Sequence, residues 1–353
     1  MSLVAPELEL SPEVAASQLL NQIATGYMLS AALQVALKLE IADRLAAGPR
    51  PAADLAREAG VREDGLYRVL RALASVGIFE ELPAPAGASG SRVFALTLPG
   101  RMLCKGPQSM RDMGLFITSP LHFRVYSELL HSVKTGQPAV EHVTGMPVFE
   151  FFPKNPDYSE MFNNAMTSFS AVVVPAVLEA YDFTGIGVLV DVAGGHGQLL
   201  TSILKQYPAM RGVLFDLAHV IAGATPLLAS SGVADRVATE SGDFFTGVPA
   251  GGDAYIMKHI IHDWDDEQAL TILRNIRTQL AGKPQGRVIL VESVLPADNS
   301  PHFGKLIDLE MMAMPGGRER TEAEFRSLFE RAGFSRMRVV PTQAPLWVVE
   351  ARI

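Results

Sequence analysis

Residues 189–197 read Leu-Val-Asp-Val-Ala-Gly-Gly-His-Gly, an apolar run that closes on an acid and then opens into a glycine-rich turn. The run has the composition of a buried strand, and glycines let the chain turn sharply and approach a ligand with no Cβ in the way. Leu199, Leu200, Ile203 and Leu204 follow at helical spacing, so the stretch reads strand, loop, helix. A second apolar run, Gly212 to Phe215, ends at Asp216, nineteen residues beyond Gly197. A carboxylate there can grip both hydroxyls of a ribose, which points to an adenosine-containing ligand. The dinucleotide fingerprint G-x-G-x-x-G, counted from Gly195 and Gly197, needs a third glycine where Leu200 stands, so a nicotinamide cofactor is disfavoured.

Outward from that unit, strands are expected at Val188 to Val192, Gly212 to Asp216, Val237 to Glu240, Ala254 to Met257 and Arg287 to Ser293. Helices alternate with them, among them Glu267 to Leu280 behind a capping box of Asp265 and Gln268, and the pattern is that of a doubly wound parallel sheet. Thr321 to Ala332 reads as a capped helix, with Thr321 and Glu324 as the box, Phe325, Leu328 and Phe329 as the apolar stripe and Gly333 as the stop. Upstream, Leu19 to Leu45 is continuously helical and apolar nearly all round, a helix expected to be buried on more than one side. Helices at Pro51 to Ala59 and Glu63 to Val76, the second with Leu66, Val69, Leu70 and Leu73 on one stripe, precede strands at Ile78 to Leu82 and Arg92 to Leu96 around the loop 83–91. This is a winged-helix outline. Between Arg50 and Glu81, however, five Arg face six Asp and Glu, a net of −1 where a duplex reader would be basic. Dimerisation is the expected use of this apolar helical surface. Residues 107–185 read as mostly helical, with Phe149, Phe151, Phe152, Phe162, Met166 and Phe169 either core or the lining of an apolar pocket. Three segments follow: 1–106 for dimerisation, 107–185 as helical linker and acceptor region, and 186–353 for the cofactor.

Composition bounds the classes that remain. The 353 residues leave room for about two domains, and 48% hydrophobic with 19% charged residues is globular composition. A net charge of −8 offers nothing to a polyanion such as nucleic acid. Cys104 is the single cysteine, which excludes internal disulfides and cysteine-rich metal sites. Glu7, Glu9 and Glu13 stand where a signal peptide would carry positive charge, and no 18-residue uncharged apolar run is apparent, so no membrane partner and a cytoplasmic location are expected.

The chemistry-bearing residues fall where the strands end, the usual ligand edge of such sheets. After the third comes Gly242-Asp243-Phe244-Phe245, an acid for an adenine amino group beside an apolar face for its ring. After the fourth comes Lys258-His259-Ile260-Ile261-His262-Asp263-Trp264, after the fifth Glu292, and before the capped helix Gly316-Gly317-Arg318-Glu319-Arg320-Thr321. In that order the segments VDVAGGHG, FDL, GDFF, MKHIIHDWDDE, VILVESVLP and PGGRERT resemble the class I S-adenosylmethionine-dependent small-molecule O-methyltransferases, both plant caffeate and flavonoid enzymes and bacterial polyketide-tailoring ones. The resemblance runs from about Leu19 to the last residue. It implies a winged-helix-like dimerisation domain, a Rossmann-like methyltransferase domain and a homodimer whose N-terminal domains help close each other's pockets. It further implies that Gly194, Gly195, Gly197, Asp216, Asp243, Phe244, Lys258 and Trp264 bind the cofactor, that His262 is the catalytic base, and that Glu292 and Glu319 are acids flanking it. Phe149, Phe162, Met166, Phe169 and Met314 are the acceptor residues it implies. Ala193 departs from the plant pattern by replacing the first glycine of a triplet, and Met314 and Phe169 stand where plant enzymes often carry Asn and His.

Methyl transfer from a sulfonium asks a protein for alignment and for removal of the acceptor's proton. A phenol near pKa 10 and an ordinary imidazole near 6.5 make that removal uphill by about 4.8 kcal/mol, which acids beside His262 would reduce by stabilising the imidazolium. No metal is needed, Asp263 belongs to the turn, and His259 reads as structural. Two other readings stand: the same fold diverted to non-methylating chemistry, against which His262, Glu292 and Glu319 argue, and a winged-helix DNA-binding or ligand-sensing regulator, against which the acidic helices argue.

Overall fold

The computed structural model of the protein describes residues 11–83, 92–106 and 109–353. They form two units, one running through His122 and including Met161–Ser168, the other made of Phe123–Glu160 and Phe169–Ile353.

In the first unit, α1 (Pro12–Lys38) starts at Ser11, whose hydroxyl accepts from the Val14 amide. The helix expected to continue to Leu45 breaks, because Glu40 takes a left-handed backbone (φ 53°) before α2 (Ile41–Leu45) resumes. The Arg44 side chain takes the Leu39 carbonyl at 2.9 Å, and Lys105 and Arg111 hold the Glu40 carboxylate. The expectation that this helix is buried on several sides is also corrected: Leu19, Leu20, Ile23, Tyr27 and Met28 are all more than half exposed in the single chain, whereas Ala36 and Leu37 are buried. Beyond it lie β1 (Arg50–Pro51), α3 (Ala52–Ala59) and α4 (Glu63–Ala74), then β2 (Phe79–Leu82) and β3 (Val93–Leu96). Leu66, Leu70 and Leu73 of α4 are buried with Leu55, Phe79 and Phe94, so the expected stripe is the inner face of the unit. The sheet is antiparallel in the order β1-β3-β2, and most of the wing loop, 84–91, lies outside the described residues.

The helix Pro156–Ala180 corrects a third expectation, that no long uncharged apolar run is present, since by length and composition it would pass for a membrane span. Asn163, Asn164, Thr167, Ser168 and Ser170 interrupt its apolar surface, and Phe169, Val173, Val174 and Val177 are buried within the protein.

The main sheet of the second unit contains β4 (Val188–Val192), β5 (Arg211–Asp216), β6 (Val237–Ser241), β7 (Ala254–Lys258) and β8 (Arg287–Glu292), joined by parallel pairing. A short parallel pair, β9 (Val294–Leu295) and β10 (Arg320–Thr321), stands apart from it. Two further strands, β11 (Arg336–Val340) and β12 (Trp347–Arg352), complete the order β11-β12-β8-β7-β4-β5-β6. The sheet is therefore mixed rather than wholly parallel, because β12 runs antiparallel to both β8 and β11. Residues 341–346 are too short for a parallel crossover, so β12 can only return as a hairpin. Phe325, Leu328 and Phe329 pack into the same core as Val190, Val192, Leu273 and Leu290, behind a Thr321–Glu324 capping box that forms in both directions. Asp265 caps the helix Asp266–Gln279 through the Gln268 amide. Parallel pairing brings the carboxyl ends of β4 to β8 to one edge, and with them Asp216, Glu292 and the loops after β4, β6 and β7.

Candidate active site

The loop after β4 is shaped by its backbone. Ala193 (φ 55°), Gly195 (φ 60°) and Gly197 (φ 84°) are all left-handed, a region side chains rarely adopt. Gly194 is required for a different reason: a Cβ there would lie 2.5 Å from the Asp191 carboxyl carbon and 2.6 Å from Leu214. Asp216 at the end of β5 ties the loop down, one oxygen accepting from the Gly195 amide (2.8 Å) and the other from the Leu217 amide (2.7 Å). Burial raises its pKa, and burial also pushes the neighbouring Asp191 up, to about 7. Each Asp216 oxygen keeps a lone pair for a sugar hydroxyl.

Asp243 is exposed and caps its own turn by accepting from the Phe245 amide at 2.8 Å. Phe244, Phe245 and Trp264 form an aromatic cluster, with ring centroids 5.9 and 4.8 Å from Trp264, and Phe149 stacks on the same indole at 5.9 Å. Trp264 Nε1 is buried without a partner. Asn275, which the sequence did not single out, donates to the carbonyls of Phe244 and Phe245 and so fixes that turn. Lys258 is half-buried at the end of β7, its pKa lowered by burial against the opposing pull of Asp191 and Glu292.

His262 lies in a short 3-10 turn, 5% exposed. Its Nδ1 is 2.8 Å from Glu319 Oε1, and Glu319 is itself buried. As a carboxylate Glu319 can only accept, so Nδ1 carries a hydrogen, and in the neutral ring the lone pair is on Nε2. Glu292 flanks the ring without a hydrogen bond to it, an oxygen lying within 4.8 Å of a His262 nitrogen, and it does more: Oε1 accepts from the amides of Ile260 (3.0 Å) and Ile261 (2.9 Å), which holds the backbone that carries the ring. Asp263 has more than the turn role expected of it, since its Oδ1 is 3.5 Å from His262 Nε2. Burial alone would push the imidazole pKa down; Asp263, Glu292 and Glu319 overcome that and raise it to about 10.

The loop around His262 is clamped from outside as well. Arg320, 1% exposed, donates to the carbonyls of Ile261 (3.0 Å) and Trp264 (2.9 Å) and pairs with Asp266. The Arg318 amide donates to the His262 carbonyl at 2.8 Å, and a Cβ on Gly317 would fall 2.0 Å from that same oxygen. Arg320 and Gly317 were quoted in the sequence only as parts of a motif; a buried arginine has no signal of its own in sequence.

Of the residues expected at an acceptor, Phe169 is buried with its ring stacked on His259 at 5.0 Å, Met314 is buried, and Phe149 is 42% exposed. Phe162 and Met166 group with the first unit, where Phe162 lies 5.5 Å from the Phe116 ring. One nitrogen each of His259 and His262 and an oxygen of Glu292 lie within 4.8 Å of one another, a donor set that could also hold a cation.

The chain is similar to known proteins along nearly its whole length. Residues 126–335 match the model of an O-methyltransferase domain and residues 21–106 that of an O-methyltransferase dimerisation domain. A phenazine O-methyltransferase of Lysobacter antibioticus is 40% identical over 95% of this chain and 96% of its own. An 8-amino-8-demethylriboflavin N,N-dimethyltransferase of Streptomyces davaonensis is 34% identical over 98% of both chains. Human N-acetylserotonin methyltransferase, solved in complex with S-adenosylmethionine, superposes with a TM-score of 0.85 at 26% identity, covering 96% of this chain and 97% of that one. The winged-helix-like segment is thus the dimerisation part of an enzyme, and the chain belongs to the O-methyltransferase family.

Proposed function

We propose that this S-adenosylmethionine-dependent O-methyltransferase uses His262 as the general base that takes the proton from a phenolic hydroxyl of an apolar aromatic small molecule. The observation that carries the assignment is the 2.8 Å contact between His262 Nδ1 and buried Glu319, which makes Nε2 the basic atom of the neutral ring. A base raised to about 10 matches a phenol of about 10, so the uphill transfer expected for an ordinary imidazole becomes nearly level. Glu319 fixes the tautomer, and Glu292 fixes the loop. The proton chemistry needs no metal.

The residues present fit the cofactor. Asp216 has lone pairs free for ribose hydroxyls, Asp243 and Phe244 suit an adenine edge and face, and the left-handed loop containing Gly194, Gly195 and Gly197 keeps side chains off its path. Lys258 and Trp264, with its unpaired Nε1, are the remaining contacts. When bound, S-adenosylmethionine supplies a methyl group on a sulfonium, already a good leaving group. Phe149, Phe169 and Met314 are assigned to the acceptor, as are Phe162 and Met166 on the resemblance alone. The dimerisation domain and the exposed apolar face of α1 support a homodimer, and the free Cys104 thiol suits the reducing cytoplasm. The test is incubation of the purified protein with methyl-labelled cofactor and a panel of phenols and aryl amines. Label on phenolic oxygen is expected; label on amines alone would overturn the acceptor assignment.

A further inference from the structure

We propose that His259 is a specificity-determining residue that reads a hydrogen-bond donor, a hydroxyl or amino group, on the ring carbon next to the methylated oxygen. The proposal rests on the phenol-methylation reading above.

The backbone of His259 is left-handed (φ 56°), a conformation that a bulky residue keeps only where its surroundings enforce it and one that concentrates at functional sites. The enforcement is visible: the His259 amide donates to the Val291 carbonyl at 3.1 Å, and the next two amides both go to Glu292. The result is a flat stack in which the His259 ring lies between Phe169, at 5.0 Å and 23°, and His262, at 4.2 Å and 28°.

Packing explains the faces of the ring but not its edge. His259 Nε2 is buried with no hydrogen-bond partner, and so is Glu292 Oε2. Buried polar atoms are ordinarily paired, so two unpaired ones beside a base point to a partner that arrives from outside. Burial and the neighbouring His262 and Lys258 keep the His259 ring neutral, hence with a lone pair to offer. One nitrogen of each ring and a Glu292 oxygen fall within 4.8 Å of one another. Heteroatoms on adjacent carbons of an aromatic ring are about one hydrogen bond apart, so a hydroxyl presented to His262 carries an ortho donor toward His259 and Glu292.

The test compares 3-amino-2-naphthol with 2-naphthol as acceptors for wild type, His259→Phe and His259→Asn. Phenylalanine keeps the flat ring and removes the nitrogens. Asparagine tolerates the left-handed backbone and keeps a hydrogen-bonding group. Wild type is expected to favour the amino compound by about 10- to 100-fold in kcat/KM, the worth of one good hydrogen bond. His259→Phe should bring the ratio of the two acceptors to within about threefold of unity, with S-adenosylhomocysteine affinity held, and His259→Asn should restore part of it. Wild-type turnover with no preference, or an equal loss on both acceptors in both variants, overturns the proposal while leaving phenol methylation standing. No wild-type methylation of either naphthol or of any phenol in the panel overturns the phenol-methylation reading, and this proposal with it.

Discussion

Two loops at the same sheet edge are held in opposite ways. The loop after β4 is a matter of backbone: three left-handed residues, one glycine enforced by packing, and a single carboxylate from the next strand. The loop after β7 is held by side chains from far along the sequence, with Glu292 on its amides, Arg320 and the Arg318 amide on its carbonyls, and Glu319 on its histidine. A ligand with many polar groups can be recognised by a shaped backbone, whereas a proton must be taken by one atom at one place. Removing single contacts should therefore divide cleanly, with the first loop governing affinity and the second governing rate.

The strongest break of that division is His262→Ala, expected to lower single-turnover methyl transfer by about 100- to 10,000-fold with S-adenosylhomocysteine affinity unchanged by calorimetry. An equal fall in affinity would show that the two loops are one unit. Gly317→Ala comes next. Its Cβ would lie 2.0 Å from a backbone oxygen, so the His262 turn must move, and a displacement of that order costs about 100-fold in rate. A crystal structure of the variant with an unmoved turn and full activity would contradict the clamp.

Asp216→Ala should weaken S-adenosylhomocysteine binding by about tenfold. Because Asp216 also accepts two amides of the fold, the melting temperature should fall with it, which a pure ligand contact would not cause. Glu319→Gln sharpens the second loop through its pH profile. In the wild type the neutral, proton-accepting form of His262 gains population as pH rises toward about 10, so the rate rises across neutral pH. Removing one of the three carboxylates lowers that pKa, and the rising limb should move to lower pH, toward the ordinary imidazole value of about 6.5. At its own optimum the variant should lose about tenfold, since the tautomer is no longer enforced. The smallest effect belongs to Ala193→Gly, which relieves a left-handed alanine and should stabilise by less than about 1 kcal/mol in chemical denaturation, with no change in rate.

The contrast also explains what could be read in advance. Gly195, Gly197, Asp216 and the strands around them were legible because local backbone demands leave local residue signatures. His262 and Glu319 were placed together only through resemblance to a family, since 57 positions separate them. That Glu292 holds two amides as well as flanking the ring depends on how far β8 runs past the loop, which no local pattern encodes. Asn275, Arg320 and the proximity of Asp263 to Nε2 were missed for the same reason. The β11–β12 hairpin was overlooked although Trp347–Val349 is an apolar run: Arg336 and Arg338 break up β11, and the alternation of strand and helix had suggested a sheet already complete.

The reversed strand β12 has a consequence for how the enzyme is made. It sits between β8 and β11, yet more than fifty residues separate β8 from it along the chain. While the ribosome is still reading that interval, β8 presents a fully buried sequence, Arg287–Glu292, as an unpaired edge. Such an edge is a template for joining another chain. The second unit thus passes through a stage of synthesis in which its parallel strands can be assembled while the sheet remains open on the side of Glu292, and its yield in a cell will depend on how quickly the hairpin follows.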